Sequence, residues 1–343
     1  MIGEKIETCE FARGFDAGWS GPDWPTPRPG QARSPYILKT RLADPSFLLS
    51  PFSIQPHLGG VKLSAAEIRI AVTNALAEDL GSGDATTLAT VPKHLFAVAR
   101  MRAREPMTVA GIQFAEIAFQ MLSPKIKIKK LLRDGARAKA GQTLLKISGP
   151  AQALLSAERV ALNFIQRLSG VASATAQFVA AVRGTPARIL DTRKTTPGWR
   201  HFEKYAVACG GGKNHRIGLY DMILIKDNHL AALRFEKPNA IAAAVARARK
   251  KFPKLKVEVE ADTLEQAAQA ADAGVDIILL DNMDLKQLRA AVKIVKGRAL
   301  TEASGGVNLQ TVGGIARTGV DYISVGAVTH SARAVDIGLD FVE

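Results

Sequence analysis

The sequence is poor in cysteine and has no long hydrophobic run. Only Cys9 and Cys209 occur among its 343 residues, in no Cys-x-x-Cys or Cys/His spacing. This argues against a disulfide-bonded secreted protein and favours a reducing cytoplasm. No stretch of about 18 apolar residues is present, so we expect no membrane-spanning helix. Glu4, Glu7 and Glu10 stand where a secretory signal would need an apolar core, so we expect no such signal.

Aromatic residues are also scarce, at 6% of the chain. Lys and Arg number 46 against 32 Asp and Glu, a formal net charge of +14, and such an excess favours an anionic partner. Charge alone leaves nucleic acid, a membrane surface and an acidic small molecule open. A nucleic-acid interface would combine basic segments with interleaved aromatics. The sequence contains no basic segment with interleaved aromatic residues, so we expect neither a nucleic-acid nor a membrane partner.

Proline is concentrated at one end of the chain. Residues 1–60 contain 8 of the 16 prolines and show no sustained periodicity, so we predict an irregular extension there. This segment has six basic and six acidic residues. The positive excess therefore belongs to residues 61–343, where 40 basic residues face 26 acidic ones. We assign no role to the extension.

The part that follows the extension predicts a mixture of helices and strands. Ser64, three residues before Glu67, forms a capping box at the start of a helical apolar pattern that Gly81 ends. Segments 94–104 and 125–135 alternate apolar and polar residues, which is typical of strands. The lysines at 125–130 are interpreted as the solvent-exposed face of such a strand, because apolar residues alternate with them.

From residue 151 onward the pattern changes to one long apolar helix and then to alternating strands and helices. Continuous apolar strands with crossover helices indicate a parallel sheet, and six units without a G-x-G-x-x-G turn favour a β/α barrel that is incomplete. The predicted strands are ARILDTR, DMILIKD, KVEVEA, DIILLDN, RALTEAS and YISVGAV.

In a β/α barrel the reacting groups lie at the carboxyl ends of the strands. Here the early strands end in cations, the middle strands in carboxylates and the last two in glycines. Glycine-rich ends allow phosphate to approach backbone N–H groups closely. The residues concerned are Asp191, Thr192, Arg193, Lys194, Lys226, Asp227, Glu258, Glu260, Asp281, Asn282, Glu302, Ser304, Gly305, Gly306 and Gly326.

The carboxylates at these strand ends are candidates for a divalent cation. Mg²⁺ prefers one or two carboxylates together with water and substrate oxygens, which makes Glu260 and Asp281 candidate ligands. Glu258 lies on the same strand face as Glu260, so either glutamate fits, and salt bridges with lysines are the structural alternative.

A glycine-rich loop at 210–212 precedes Lys213, His215 and Arg216. The histidines at positions 201, 215 and 229 have no zinc-binding spacing. We therefore interpret this segment as an anion-recognition segment, since Arg binds carboxylates in bidentate fashion and Lys acts as a point charge.

These motifs together resemble a known family. The resemblance covers residues from about 62 to 343 and identifies the chain as similar to quinolinate phosphoribosyltransferases, also called nicotinate-nucleotide pyrophosphorylases (carboxylating). The motifs that carry it are ERVALNFIQRLSG, ILDTRKTTPG, EKYAVACGGGKNHRIGLYDMILIKDNH, VEVE, ILLDN, EASGGVN and VGAVTHS. The resemblance implies that quinolinate and phosphoribosyl pyrophosphate give nicotinate mononucleotide, pyrophosphate and CO₂, with Mg²⁺, in NAD biosynthesis.

The resemblance also implies an α/β fold with an N-terminal α/β sandwich and an incomplete, seven-stranded α/β barrel. We predict the extension at 1–60, the sandwich domain at 61–165 and the barrel domain at 166–343, leaving open a return of the last residues to the sandwich domain. A cytoplasmic homodimer that shares its active sites is implied, with a hexamer left open. Trp199 stands where the family pattern has an aliphatic residue.

The resemblance assigns roles to individual residues. The implied catalytic residues are Lys194, Lys226, Glu260 and Asp281, of which Glu260 and Asp281 are also implied to hold Mg²⁺, directly or through water. The implied substrate contacts are Arg159 from the partner subunit, Thr192, Arg193, Lys194, His215, Arg216, Lys226, Glu260 and Asp281. The implied phosphate contacts are Ser304, Gly305, Gly306, Val325, Gly326, Ala327 and His330.

Two other functions remain compatible with the sequence. A related enzyme of the same fold would act on another pyridine or base, as in molybdenum-transport-associated relatives, and would not need the second carboxylate of quinolinate. A nucleic-acid-binding protein would show tight, steeply salt-dependent binding.

Overall fold

The computed structural model describes residues 60–342. Its first half contains α1 (Ala65–Leu80), α2 (Ala85–Thr90), β1 (Phe96–Ala103), β2 (Met107–Thr108), α3 (Ile112–Leu122), β3 (Lys127–Lys130), β4 (Arg137–Ala138), β5 (Thr143–Pro150) and α4 (Ala151–Ala181). Its second half contains β6 (Arg188–Leu190), α5 (Arg200–Cys209), β7 (Ile223–Ile225), α6 (Asp227–Ala232), α7 (Ala240–Lys251), β8 (Val257–Ala261), α8 (Leu264–Asp272), β9 (Ile277–Asp281), α9 (Leu285–Val295), β10 (Leu300–Ser304), α10 (Val312–Ala316), β11 (Tyr322–Ser324), α11 (Ala327–His330) and β12 (Ile337–Val342).

The predicted first helix is confirmed as α1. The Ser64 side chain accepts a hydrogen bond from the Glu67 N–H, and the Glu67 carboxylate accepts from the Ser64 N–H, which completes the capping box. The helix ends at Gly81, whose φ of 50° places it in a conformation that glycine adopts readily. Its buried face is made of Ile68, Val72 and Leu76.

The N-terminal half is built on a four-stranded antiparallel sheet in the order β12-β1-β5-β3. Helices α1, α3 and α4 pack together in the same half, which is the predicted α/β sandwich. Lys127 and Lys129 on β3 are exposed whereas Ile126 is buried, so the basic stretch is the solvent-exposed face of a strand, as predicted.

The second half is built on a parallel sheet of six strands in the order β6-β11-β10-β9-β8-β7. Each strand corresponds to one of the six predicted apolar runs. All five residues of β8 are buried, as expected for a parallel sheet covered by helices. At the β6 edge of the sheet, Lys213 forms an isolated parallel β-bridge with Leu190. This bridge adds a single paired residue beyond the six strands.

Helix α4 is the longest element and connects the two halves. It packs against α3 and α5, and its Gln166 amide donates to the Ile337 carbonyl at 2.7 Å. Strand β12 then pairs with β1, with Ala103 opposite Ile337 and Val98 opposite Val342. The chain therefore returns to the N-terminal sheet after the parallel sheet is complete.

Two predictions concern parts of the chain that the structure does not test. The Pro-rich extension lies outside the described residues, except for Gly60. The boundary at residues 165 and 166 falls inside α4 and stays a prediction. Among residues 60–342, no helix is both long enough and apolar enough to cross a membrane.

Candidate active site

The carboxyl ends of the parallel strands surround a cavity of about 430 Å³. Leu224, Leu279, Glu302 and Ser324 form part of its lining. The structure also places nine of the predicted site residues around it: Thr192, Arg193, Lys194, His215, Arg216, Lys226, Glu260, Asp281 and Ser304.

One wall of the cavity is cationic. Arg216 is only 6% exposed and donates from Nη1 to the Met222 carbonyl at 3.2 Å. Burial lowers the pKa of Arg216, and repulsion from Arg193 adds to this shift. Within the described residues, the buried Nε of Arg193 has no hydrogen-bond partner. Buried cations without partners are costly, so this wall is suited to an anionic ligand.

A second wall carries carboxylates. Lys226 Nζ donates to Glu260 Oε2 at 2.6 Å, and Asn282 Nδ2 donates to Asp281 Oδ2 at 2.6 Å. One carboxylate oxygen each of Glu260, Asp262 and Asp281 lies within 4.8 Å of the others. This donor set is the kind that Mg²⁺ prefers. Asp262 was missed by sequence reasoning, although its place directly after β8 and two residues beyond Glu260 was a usable signal.

A second acidic pair, Glu258 on β8 and Glu302 on β10, is fully buried; Glu302 contributes to the cavity lining and Glu258 does not. His215 Nε2 lies 3.0 Å from Glu258 Oε2 and 3.6 Å from Glu302 Oε2. Burial and the charge of Glu258 raise the pKa of Glu302 to about 8. Glu260 lines the cavity and Glu258 lies beneath it, so the geometry favours Glu260 as the glutamate that faces a ligand.

The His215 ring has both nitrogens engaged. Burial opposes its protonation, but Glu302 and Glu258 outweigh this and raise the pKa of His215 to about 9. Nδ1, however, accepts a hydrogen bond from the Arg216 N–H at 2.7 Å, which requires an unprotonated Nδ1. The described conformation is therefore that of the neutral ring with its proton on Nε2.

A buried ion pair between Asp191 and Lys204 anchors the segment that carries His215. Asp191 accepts from the Asn214 side chain at 2.7 Å and from the His215 N–H at 2.8 Å, and Lys204 Nζ donates to the His215 carbonyl at 3.0 Å. Desolvation raises the pKa of Asp191 and lowers that of Lys204, while the attraction within the pair opposes both shifts. Sequence reasoning missed Lys204 because it lies on α5, away from any strand end.

Of the two glycine segments, the one at Gly326 lies beside a cation, Lys194. Gly305 and Gly306 have φ values of 94° and 57°, and in the described part of the chain their N–H groups have no protein acceptor. A Cβ on Gly326 would lie 3.1 Å from His330 Nε2 and 3.2 Å from Lys194 Cδ. Gly326, His330 and Lys194 are therefore neighbours, as a shared phosphate site requires.

The remaining predicted residues, like Gly305, Gly306, Gly326 and His330, are not part of the cavity lining. Val325 is 1% exposed in the core, and Ala327 begins α11. Arg159 is exposed on α4 and is not part of the cavity lining.

A larger cavity, of about 860 Å³, lies between α1, α4 and residues 195–202. Three carboxylates line it, those of Glu67, Glu78 and Asp79, against the bases Arg200 and His201. This balance disfavours a polyanionic ligand, so the smaller cavity is the better candidate for the active site.

Comparison with known proteins decides the family. Residues 84–169 match the family model "Quinolinate phosphoribosyl transferase, N-terminal domain", and residues 171–340 match that of the C-terminal domain. The chain belongs to the quinolinate phosphoribosyltransferase family. The resemblance inferred from the motifs is thus confirmed.

Individual relatives agree with the family match. The chain is 45% identical over 278 residues to the nicotinate-nucleotide pyrophosphorylase [carboxylating] of Mycobacterium leprae, covering 79% of this chain and 96% of that protein. It is 41% identical to the chloroplastic Arabidopsis thaliana protein of the same name, covering 80% of this chain and 82% of that one. The solved nicotinate-nucleotide pyrophosphorylase of Francisella tularensis superposes with a TM-score of 0.78 at 38% identity, covering 83% of this chain and all of that one.

The family match agrees with the fold. The two quinolinate phosphoribosyltransferase domain models meet inside α4, between residues 169 and 171. The predicted α/β class, with an N-terminal sheet domain and a C-terminal parallel α/β sheet, is confirmed.

Proposed function

We propose that this protein transfers the phosphoribosyl group of phosphoribosyl pyrophosphate to quinolinate with loss of CO₂. The products are nicotinate mononucleotide and pyrophosphate, and the enzyme is a pentosyltransferase of NAD biosynthesis. The observation that carries this proposal is the cavity at the strand ends, where a wall of Arg and Lys adjoins a wall of carboxylates. Both substrates are polyanions, whereas the reacting ribose becomes cationic, so the reaction needs both walls.

Quinolinate is a dicarboxylate, so the proposal assigns it to the cationic wall. Arg193 and Arg216 offer planar guanidinium groups that fit carboxylates, and Lys194 adds a point charge. Support comes from the buried, unpartnered Nε of Arg193. Thr192 and His215 line the same side of the proposed pocket.

The phosphoribosyl donor is assigned to the glycine segments. Gly305 and Gly306 present free N–H groups beside Ser304, and Gly326 lies against Lys194 and His330. Such backbone donors bind phosphate well because a Cβ would keep the anion away. Val325 and Ala327 flank Gly326 in the same proposed site.

The reaction needs no covalent nucleophile on the protein. The pyridine nitrogen forms a bond to ribose C1 as the bond from C1 to the pyrophosphate oxygen breaks, and pyrophosphate leaves with that electron pair. Glu260 and Asp281 stabilise the positive charge that develops on the ribose, and Lys194 and Lys226 stabilise the leaving group. The cationic pyridinium then favours cleavage of the adjacent carbon–carboxylate bond, and the ring carbon takes up a proton as CO₂ leaves. The site mainly positions the reactants.

A magnesium ion fits the carboxylate wall. Glu260, Asp281 and Asp262 would hold Mg²⁺, directly or through water, since hard oxygen donors suit this ion. The ion would neutralise charge on the phosphate groups of the donor when bound.

The proposal includes a homodimer with shared active sites. Support comes from the exposed position of Arg159 on α4, outside the cavity of its own chain. A hexamer built from such dimers stays open. The low cysteine content favours the cytoplasm, whereas the A. thaliana relative is named as chloroplastic.

The test is release of labelled CO₂ from carboxyl-labelled quinolinate with phosphoribosyl pyrophosphate and Mg²⁺. We expect release by the wild type and a loss of at least about 100-fold in kcat/KM for Lys226→Ala, the size of effect typical for one transition-state donor. Lys129→Ala, on the exposed face of β3, is the matched control and should retain activity.

Two outcomes would contradict the proposal. Absence of CO₂ release from folded, Mg²⁺-supplied protein would exclude the reaction. Equal turnover of nicotinate and quinolinate would favour a related enzyme for another pyridine, because only quinolinate has the second carboxylate that the arginines can bind.

A further inference from the structure

The buried pair Glu258 and Glu302 has no role in the reaction described above. Both side chains are fully buried on neighbouring layers of the parallel sheet: Glu302 lies at the level of Glu260 and reaches the cavity lining, and Glu258 lies one layer deeper. Burying two carboxylates is costly unless a donor compensates them. Within the described residues, none of their four carboxylate oxygens has a partner in hydrogen-bonding geometry, and the group placed to compensate them is His215, whose Nε2 lies 3.0 Å from Glu258 Oε2 and 3.6 Å from Glu302 Oε2 as ion-pair contacts.

The other side of the His215 ring is connected to Arg216. The hydrogen bond from the Arg216 N–H to Nδ1 measures 2.7 Å. If the Nε2–H lost its acceptors, the ring would be free to rotate, and Nδ1 would leave the Arg216 N–H. A rotated ring would also leave the Arg216 backbone without this contact.

The Arg216 side chain depends on the position of its backbone. Its guanidinium is 6% exposed, lines the cavity and donates to the Met222 carbonyl at 3.2 Å. A guanidinium held at this depth has little freedom to compensate for a shift of its Cα. Geometry at carboxylate-binding arginines is strict, because bidentate hydrogen bonding needs a defined plane.

We propose that Glu258 and Glu302 are positioning residues for quinolinate binding. They orient the His215 ring through its Nε2–H, and the ring fixes Arg216 through Nδ1. Both glutamates act through His215, and Glu258 lies below the cavity lining. This inference rests on the proposed assignment of Arg216 to quinolinate, and the experiment below separates the two.

The main test compares two substitutions of Glu258. Glu258→Leu fills a similar volume but removes the acceptor, and we expect the KM for quinolinate to rise about tenfold, which corresponds to the loss of one charged hydrogen bond. The KM for phosphoribosyl pyrophosphate and the kcat should stay within about twofold of wild type. The substitution weakens quinolinate binding equally in the ground state and in the transition state, which changes only the KM for quinolinate. Glu258→Gln retains an acceptor oxygen and should stay within about threefold of wild type for every parameter.

Two controls complete the kinetic test. Asp321→Asn alters a carboxylate at the opposite end of the same sheet, where Asp321 accepts from Thr301, and should leave both KM values unchanged. Arg216→Ala should raise the quinolinate KM by more than Glu258→Leu. If Arg216→Ala has no such effect, the assignment of Arg216 to quinolinate is wrong; if only Glu258→Leu has none, the positioning inference alone is wrong.

A second measurement uses the wild-type chain and does not depend on the folding of a variant. Nitrogen-15 NMR of labelled histidine, recorded at a pH above the His215 pKa of about 9, should show His215, identified by its absence in His215→Ala, as the neutral Nε2–H tautomer. An Nδ1–H tautomer would overturn the inference. So would a bound metal ion in purified protein that disappears in Glu302→Gln, since His215, Glu258 and Glu302 also have the spacing of metal ligands.

Discussion

For single residues, depth in the parallel sheet decides what a carboxylate can do. Glu258 and Glu260 lie on the same strand face, because side chains of a strand alternate with a period of two. Glu260 reaches the cavity and pairs with Lys226, whereas Glu258 is one layer deeper and faces His215. The deeper layer lies below the cavity lining. A glutamate at the cavity is therefore a candidate ligand for ribose or Mg²⁺, whereas a glutamate one layer deeper is a buried partner of His215.

Glu302 gives a prediction about pH. Its pKa rises from 4.5 to about 8 in the folded protein, first through burial and then through repulsion from Glu258. Between these values the unfolded chain releases the proton and the folded chain keeps it, so the stability contributed by this group falls as pH increases. Relative to wild type, Glu302→Gln should therefore gain at least about 1 kcal/mol of unfolding free energy between pH 5 and pH 8. Urea denaturation at several pH values measures this.

The control for this prediction is Glu265→Gln, which changes an exposed carboxylate on α8. The difference in unfolding free energy between Glu265→Gln and wild type should be the same at pH 5 and pH 8. If the difference in unfolding free energy between Glu302→Gln and wild type were also independent of pH, Glu302 would be ionised in the folded protein.

Positions in the cavity lining were predictable where a side chain follows a strand. Arg193, Lys226 and Asp281 were found from sequence because the end of an apolar run locates them. Lys204 was not, because its burial arises from packing of α5 against the 213–216 segment. Trp199 was noted only as a departure. In the structure it stacks on Phe164 with ring centroids 5.0 Å apart, a contact between distant residues that no local pattern reveals.

Among the elements, α4 depends most on close packing. Gly170 lies in the middle of this helix, where a Cβ would be 2.0 Å from the Arg333 carbonyl oxygen and 3.2 Å from Ala334 Cα. The segment around Arg333 leads into β12, and Val335 N–H donates to the Gln166 carbonyl at 3.2 Å. Glycine is therefore required for the approach of this segment to the helix.

We predict that Gly170→Ala lowers the unfolding free energy by about 2–3 kcal/mol, since backbone atoms cannot yield as a flexible side chain can. Gly313→Ala in α10 is the matched control, because its nearest neighbours are 3.5 Å away. There alanine should be neutral or stabilising by up to about 1 kcal/mol through helix propensity. Equal effects of the two substitutions would contradict the packing argument, and chemical denaturation measures both.

The elements with a periodic or continuous apolar pattern were predictable, and those without one were not. Helix α1 had a capping box, and strands β6 to β11 were continuous apolar runs, so composition and spacing sufficed. Strands β2 and β4 have two residues each, which is too short for any periodic signal. The pairing of β12 with β1 joins residues far apart in sequence. The sequence left open a return of the last residues to the N-terminal domain but did not predict which strand they pair with.

For the whole molecule, the sharing of active sites gives the last prediction. If Arg159 acts in the cavity of a partner subunit, mixed dimers of Arg159→Ala and Lys226→Ala chains contain one site with neither substitution. Mixing the two inactive proteins under exchange conditions should then restore part of the activity. Quinolinate-dependent CO₂ release is the measurement.

The matched control mixes Lys194→Ala with Lys226→Ala. Both residues line the cavity of one chain, so a mixed dimer of these two has a defect in every site and should stay inactive. No recovery in verified mixed dimers of the Arg159 and Lys226 variants would indicate that each site is complete within one chain.

The return of β12 to the first sheet affects how the protein is made. Strand β1 obtains one of its two neighbours from residues 337–342, which leave the ribosome long after β1 and β5 have emerged. Until then the nascent sheet has an open edge, which is a site for wrong pairing with other chains. Synthesis must therefore proceed through the entire parallel sheet before the first sheet is complete, so the two halves finish folding together rather than in sequence.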